Sequence, residues 1–112
     1  MILKSFNQDQ INRDYNWNQL LNDFLHPNPN INYKASCLMS LYWPDKFLDY
    51  LIINLGNKDV KIRRKSIKPC ASFGDKALER ILNLYISQKD NTIRTSCLKV
   101  LIQMTNYIDL CQ

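Results

Sequence analysis

The stretch Asp59-Val60-Lys61-Ile62-Arg63-Arg64-Lys65-Ser66-Ile67-Lys68-Pro69-Cys70-Ala71-Ser72-Phe73-Gly74-Asp75-Lys76-Ala77-Leu78 decides the fold. Asp59 is a strong N-cap residue, because its carboxylate accepts from first-turn amides that have no helical partner. Ile62, Ser66, Ile67 and Cys70 then follow at i, i+4, i+5 and i+8, which is one stripe of a helix. Gly74 interrupts the pattern, and Asp75 opens a second helix carrying Ala77, Leu78 and Ile81. The unit is a helical hairpin.

At about 100° per residue, Val60, Ile62, Ser66, Ile67, Cys70 and Ala71 share one half of the first helix. Lys58, Lys61, Arg64, Lys65 and Lys68 share the other. Arg63 alone points into the apolar half. A buried guanidinium is costly unless it is fully hydrogen-bonded, so Arg63 needs a fixed partner. The Asp four residues earlier, from an adjacent hairpin, is the simplest one. Pro69 predicts a kink or an early helix end.

The pattern recurs on both sides. Asn30-Ile31-Asn32-Tyr33-Lys34, Asp59 to Arg63, and Asp90-Asn91-Thr92-Ile93-Arg94 align without gaps, with starts 29 and 31 residues apart. Tyr33, Cys37, Leu38, Leu41 and Ile93, Cys97, Leu98, Leu101 repeat the apolar stripe. Lys34 and Arg94 take the place of Arg63. This gives five structural positions between repeats: Lys34, Asp59, Arg63, Asp90 and Arg94. Pro44, at home in a first helical turn, opens a second helix whose Asp45 matches Asp75. Asn16 to Leu25 reads as the second helix of a preceding half-repeat, closed by His26-Pro27-Asn28-Pro29. Asn106 to Gln112 reads as a second helix cut short. The predicted fold is all-α, a short right-handed α-solenoid of about three hairpins over residues 16–112, preceded by an N-terminal segment, 1–15.

The constellation resembles the HEAT-like repeat of the phycobilisome-lyase type. Asp59-Val60-Lys61-Ile62-Arg63, Phe73-Gly74-Asp75-Lys76-Ala77-Leu78 and Ile81-Leu82 match its signature, as do Asp90, Ile93 and Arg94; Asn30 and Lys34 depart from it. Such repeats are mainly binding scaffolds, so the resemblance speaks to fold more than to function. It implies that second helices line a concave binding side, here with Lys46, Tyr50, Lys76, Arg80 and Asn83. It also implies a phycobiliprotein or other phycobilisome component as client, in a plastid stroma or cyanobacterial cytoplasm.

Composition sets the remaining bounds. The chain has 112 residues, 46% hydrophobic and 22% charged, which suits one folded domain. Thirteen Asn, twelve Ile and ten Lys, all with AT-rich codons, point to an AT-rich genome such as an organelle's. Apolar runs such as Phe47 to Leu55 fall far short of a bilayer span, and the N-terminus has no sustained apolar stretch; a soluble intracellular chain is expected. Two glycines leave no phosphate-cradling loop, and no nucleophile motif, Rossmann fingerprint or P-loop is present. The four cysteines form no Cys-x-x-Cys or Cys/His pair; Cys37, Cys70 and Cys97 read as small core residues and Cys111 as an exposed one near the terminus, and no metal site is expected. His26, the one histidine, has no identifiable partner and reads as a solvated loop residue. Trp17 and Trp43 read as packing residues near the N-terminal end.

The functional signal is charge. The net formal charge is +5, and six of the eleven residues from Lys58 to Lys68 are basic against Asp59 alone. Lys61, Arg64, Lys65 and Lys68 form the expected partner-binding face, and an acidic protein is the expected partner. The alternatives are a bilin lyase subunit or chromophore chaperone, holding bilin propionates with the help of a second HEAT-like subunit, and a nucleic-acid-binding repeat. No aromatic residue interleaves the basic cluster, which ranks nucleic acid below the others. No catalytic residue and no obligate cofactor is expected.

Overall fold

A computed structural model describes residues 15–111, with side chains to Asn106; the expectations for 1–14 and Cys111 fall outside those limits. The described residues form α-helices joined by short turns. These are α1 (Trp17–Phe24), α2 (Pro29–Tyr42), α3 (Pro44–Asn54), α4 (Val60–Ser72), α5 (Asp75–Ser87) and α6 (Asn91–Cys111). No helix among them is long and apolar enough to cross a membrane. The chain divides into two compact units, residues 1–44 and 45–112.

In the first unit α1 packs on α2. Leu20 and Phe24 of α1 and Ala35 and Met39 of α2 are buried. Trp17 meets Trp43 edge-on at 5.8 Å, and Tyr15 stacks on Tyr42 at 5.3 Å. Asn16 caps α1, its Oδ1 accepting from the Gln19 amide at 3.2 Å.

In the second unit α6 packs against both α4 and α5. Phe47, Leu48, Leu51, Leu55, Cys70, Ile81, Cys97 and Val100 are almost wholly excluded from solvent. Each large apolar side chain so removed from water contributes about 1.5–3 kcal/mol. Gly74, at φ +58°, turns the chain from α4 into α5, a conformation that any side chain would strain. Gly56 permits a close approach: a Cβ there would stand 2.9 Å from Ile93 Cγ1.

One hydrogen-bond pattern occurs three times at a spacing of 31 residues. Asn28, Asp59 and Asp90 each precede a first helix, and their side-chain oxygens accept from the amide two residues on, at 2.9, 2.9 and 2.8 Å. Four residues into each helix, Asn32, Arg63 and Arg94 reach back six residues to the carbonyls of His26, Asn57 and Gln88, at 3.1, 2.7 and 3.2 Å. Ala35, Ser66 and Cys97, also 31 apart, are all buried.

This spacing corrects the first repeat. Its cap is Asn28, not Asn30, because Pro29 suits the first helical position and starts α2 two residues early. Its arm is Asn32, and Lys34 is exposed. The buried face turns accordingly: Ala35 and Met39 go inside, while Tyr33, Cys37 and Leu41 face solvent. The arginine partners also differ from expectation. Asp59 and Asp90 cap their own helices, and the arginines bond to carbonyls, which take a guanidinium proton without a second desolvated charge. Pro69 does not end α4, which runs on to Ser72, whose hydroxyl donates to the Pro69 carbonyl. The short second helix foreseen from Asn106 is a continuation of α6, since no Gly or Pro interrupts residues 91–111.

Candidate functional site

The charge of the chain is unevenly placed. Residues 1–44 hold three basic and three acidic side chains; residues 45–112 hold twelve and seven, and so the whole net charge. Within the second unit, α4 carries Lys61, Arg64, Lys65 and Lys68 at i, i+3, i+4 and i+7, a single stripe about 10 Å long. Lys61, Arg64 and Lys68 are exposed, and Lys65 is half-buried. No acid among the described residues lies within ion-pair distance of Lys61, Arg64 or Lys68. The sequence dictates this one-sidedness, because Ser66, Cys70 and Ala71 commit the opposite face of α4 to the core.

The second-helix residues are arranged differently. Asp45 and Asp49 of α3 stand one turn apart, and so do Lys76 and Arg80 of α5. They pair across the two helices, Lys76 Nζ to Asp45 at 2.6 Å and Arg80 Nη1 to Asp49 at 2.8 Å. The Lys76 ammonium, by hydrogen bond and by charge, lowers the Asp45 pKa below its ordinary value. Two of the three cations expected on this face are therefore already answered within the chain. Sequence reading missed the ladder, although both pairs show the same offset of 31 residues. Tyr50 is half-buried, and burial raises its pKa. Neighbouring Asn54 is buried, and its Oδ1 accepts from Asn57 Nδ2 at 3.1 Å. Lys46 and Asn83 are exposed on α3 and α5.

The structural arginines are set apart from both faces. Arg63 and Arg94 are half-buried, and Arg94 also lies 4.2 Å above the Tyr85 ring. Both are engaged by backbone carbonyls.

Two buried thiols, Cys70 and Cys97, are shifted away from activation. Burial pushes the Cys70 thiol up to about 12, helped by the Cys97 thiol and opposed by Arg80. Cys97 is raised by burial, with Arg94 opposing. A nucleophilic cysteine requires the opposite shift. Cys37, exposed on α2, departs from the expected core role. His26 holds a turn: its Nδ1 accepts from the Asn28 amide at 2.9 Å. Among the described residues no three His, Cys, Asp or Glu side chains are grouped as a metal site would require.

A cleft of about 530 Å³ opens between α1 and α2 within the first unit. Leu20, Ala35 and Leu38 form its apolar floor, and Asp23 and Lys34 supply its charges.

Comparison with protein-family models, with curated proteins and with solved structures found no match for this chain.

Proposed function

We propose that the chain is a HEAT-like helical-repeat scaffold that binds an acidic protein along the outward face of α4, without chemistry of its own. One observation carries this reading: among the described residues the Lys61, Arg64 and Lys68 charges have no internal answer, whereas Lys76 and Arg80 are neutralised by Asp45 and Asp49. Unanswered like charges on a rigid helix repel one another, and a complementary carboxylate surface relieves that repulsion while speeding encounter. The 31-residue recurrence of cap and arm supports stacking of the hairpins as a solenoid, which would hold α4 fixed for docking. A phycobiliprotein is the acidic client that the repeat resemblance supplies.

The test is a fluorescence titration of a labelled acidic phycobiliprotein and a labelled DNA duplex, each at low and physiological salt. Protein binding that persists at physiological salt, and is lost when Lys61, Arg64, Lys65 and Lys68 are reversed to Glu, is the expected result. Binding insensitive to both salt and reversal overturns the reading. Preference for the duplex, with a steep salt slope, replaces the protein partner by a phosphate backbone.

A further inference from the structure

The cleft between α1 and α2 has a composition that the α4 face lacks. Asp23 lines it as a half-buried carboxylate, with no side-chain hydrogen bond or ion pair among the described residues. Lys34 lines the same cleft with its ammonium likewise unpaired, so the two opposite charges share one cavity without meeting each other. Asp23 is half-buried and Lys34 is exposed, so the carboxylate is the charge that partial burial makes costly to leave unanswered. Gln19 and Asn30 and the apolar Leu20, Ala35 and Leu38 line the cleft as well. A volume of about 530 Å³ lies in the range of small-ligand sites.

The internal repeat sets residue 23 apart from its two equivalents. Residue 23 corresponds, at multiples of 31, to Asn54 and Tyr85. Asn54 is buried and hydrogen-bonded to Asn57, and Tyr85 lies beneath the Arg94 guanidinium. Of the three, only residue 23 carries a carboxyl side chain, and it lines the cleft.

We infer that the α1–α2 cleft binds a small zwitterion with an aliphatic tail, of the free amino acid class. Its ammonium meets Asp23, its carboxylate meets Lys34, and its tail rests on Leu20, Ala35 and Leu38. Each charge of the cleft is then answered by one charge of the ligand, and the ligand's net charge of zero leaves the neutral first unit neutral.

The probe is L-leucine, titrated into the full chain and followed by amide shifts of residues 19–38 in two-dimensional NMR. Leucinamide, which keeps only the ammonium, and 4-methylpentanoate, which keeps only the carboxylate, serve as controls. Saturable shifts with leucine, weakened at least tenfold in both analogues and in Asp23→Asn and Lys34→Met, are expected. Among the described residues neither side chain has a partner to lose, and unchanged helical circular dichroism verifies that the variants fold. The proposal is overturned by the absence of saturation up to about 20 mM leucine, a concentration well above a weak millimolar affinity. It is equally overturned if either analogue or either folded variant binds as leucine binds to the unaltered chain.

Discussion

Arg94 covers Tyr85 from two directions: its guanidinium carbon lies 4.2 Å over the phenol ring, and its Nη1 donates at 2.6 Å to the carbonyl of the same residue. The same nitrogen reaches the Gln88 carbonyl at 3.2 Å, so one side chain closes the C-terminal turn of α5 and seats the start of α6. Replacing Arg94 with Met keeps the apolar stem and removes every one of these contacts. Hydrogen bonds to a charged donor contribute about 1.5–3 kcal/mol, so denaturant unfolding of Arg94→Met should show a loss of about that size. Asn32→Ala, which removes a neutral arm, should cost about 0.5–1.5 kcal/mol. Equal losses at both sites would contradict the dependence on charge.

The caps offer an independent check. Asp59→Ala and Asp90→Ala each leave first-turn amides without an acceptor and should cost about 1 kcal/mol. Asn30→Ala should cost far less, because Asn28 is the cap of α2 and the Asn30 side chain holds no amide. Thermal unfolding of the three variants separates the two registers of the first repeat.

Stability should fall in alkali. The Cys70 thiol titrates at about 12 in the fold against an ordinary value of 9.0, and Cys97 is shifted in the same direction. A group whose folded pKa is raised contributes stability that is complete below the unfolded pKa and is lost as pH climbs through the folded one. The loss therefore belongs to the window from about 9 to about 12. Cys70→Ala should flatten the decline between those limits in a urea series, and an unchanged slope would show that other groups cause it.

Thiol reactivity should divide in the same way. With a disulfide reagent at neutral pH, exposed Cys37 should react at once, while Cys70 and Cys97 should react only at the rate of opening. Fast labelling of Cys97 in the folded chain would contradict its burial.

The ion-pair ladder tests the choice of face. Asp45→Asn with Asp49→Asn frees Lys76 and Arg80, and the doubly substituted chain should bind an acidic protein more tightly at low salt than the unaltered chain. Stability should barely change, since exposed ion pairs contribute little. Unaltered affinity would mean that the second-helix face stays away from the partner.

Much of the helical layout was legible from apolar spacing, since α4 and α5 follow directly from the stripe at Ile62 and the break at Gly74. The register of the first repeat was not. Alignment by residue type paired Lys34 with Arg63, because a cation resembles a cation; the geometry instead places Asn32 there, because a carbonyl accepts from any N–H of sufficient reach. Pro29, read only as a breaker, was the signal that α2 starts early. The α4 basic face was legible because its charges are contiguous in sequence. The Asp45–Lys76 and Asp49–Arg80 pairs were hidden because their members lie 31 residues apart and each alone reads as a solvated surface charge.

The back-reaching arms carry a consequence for how this sequence can change. Each arm ends on a carbonyl, a group that every residue provides, so the identities of residues 26, 57 and 88 are free with respect to the arm. The offset from carbonyl to arm is not free: it is six positions in all three places. Substitution there should be tolerated, while one inserted or deleted residue would swing the arm past its acceptor and leave a half-buried donor unanswered. Each junction thus measures its own length, and the lineage of this chain should vary in letters at these turns but not in their number.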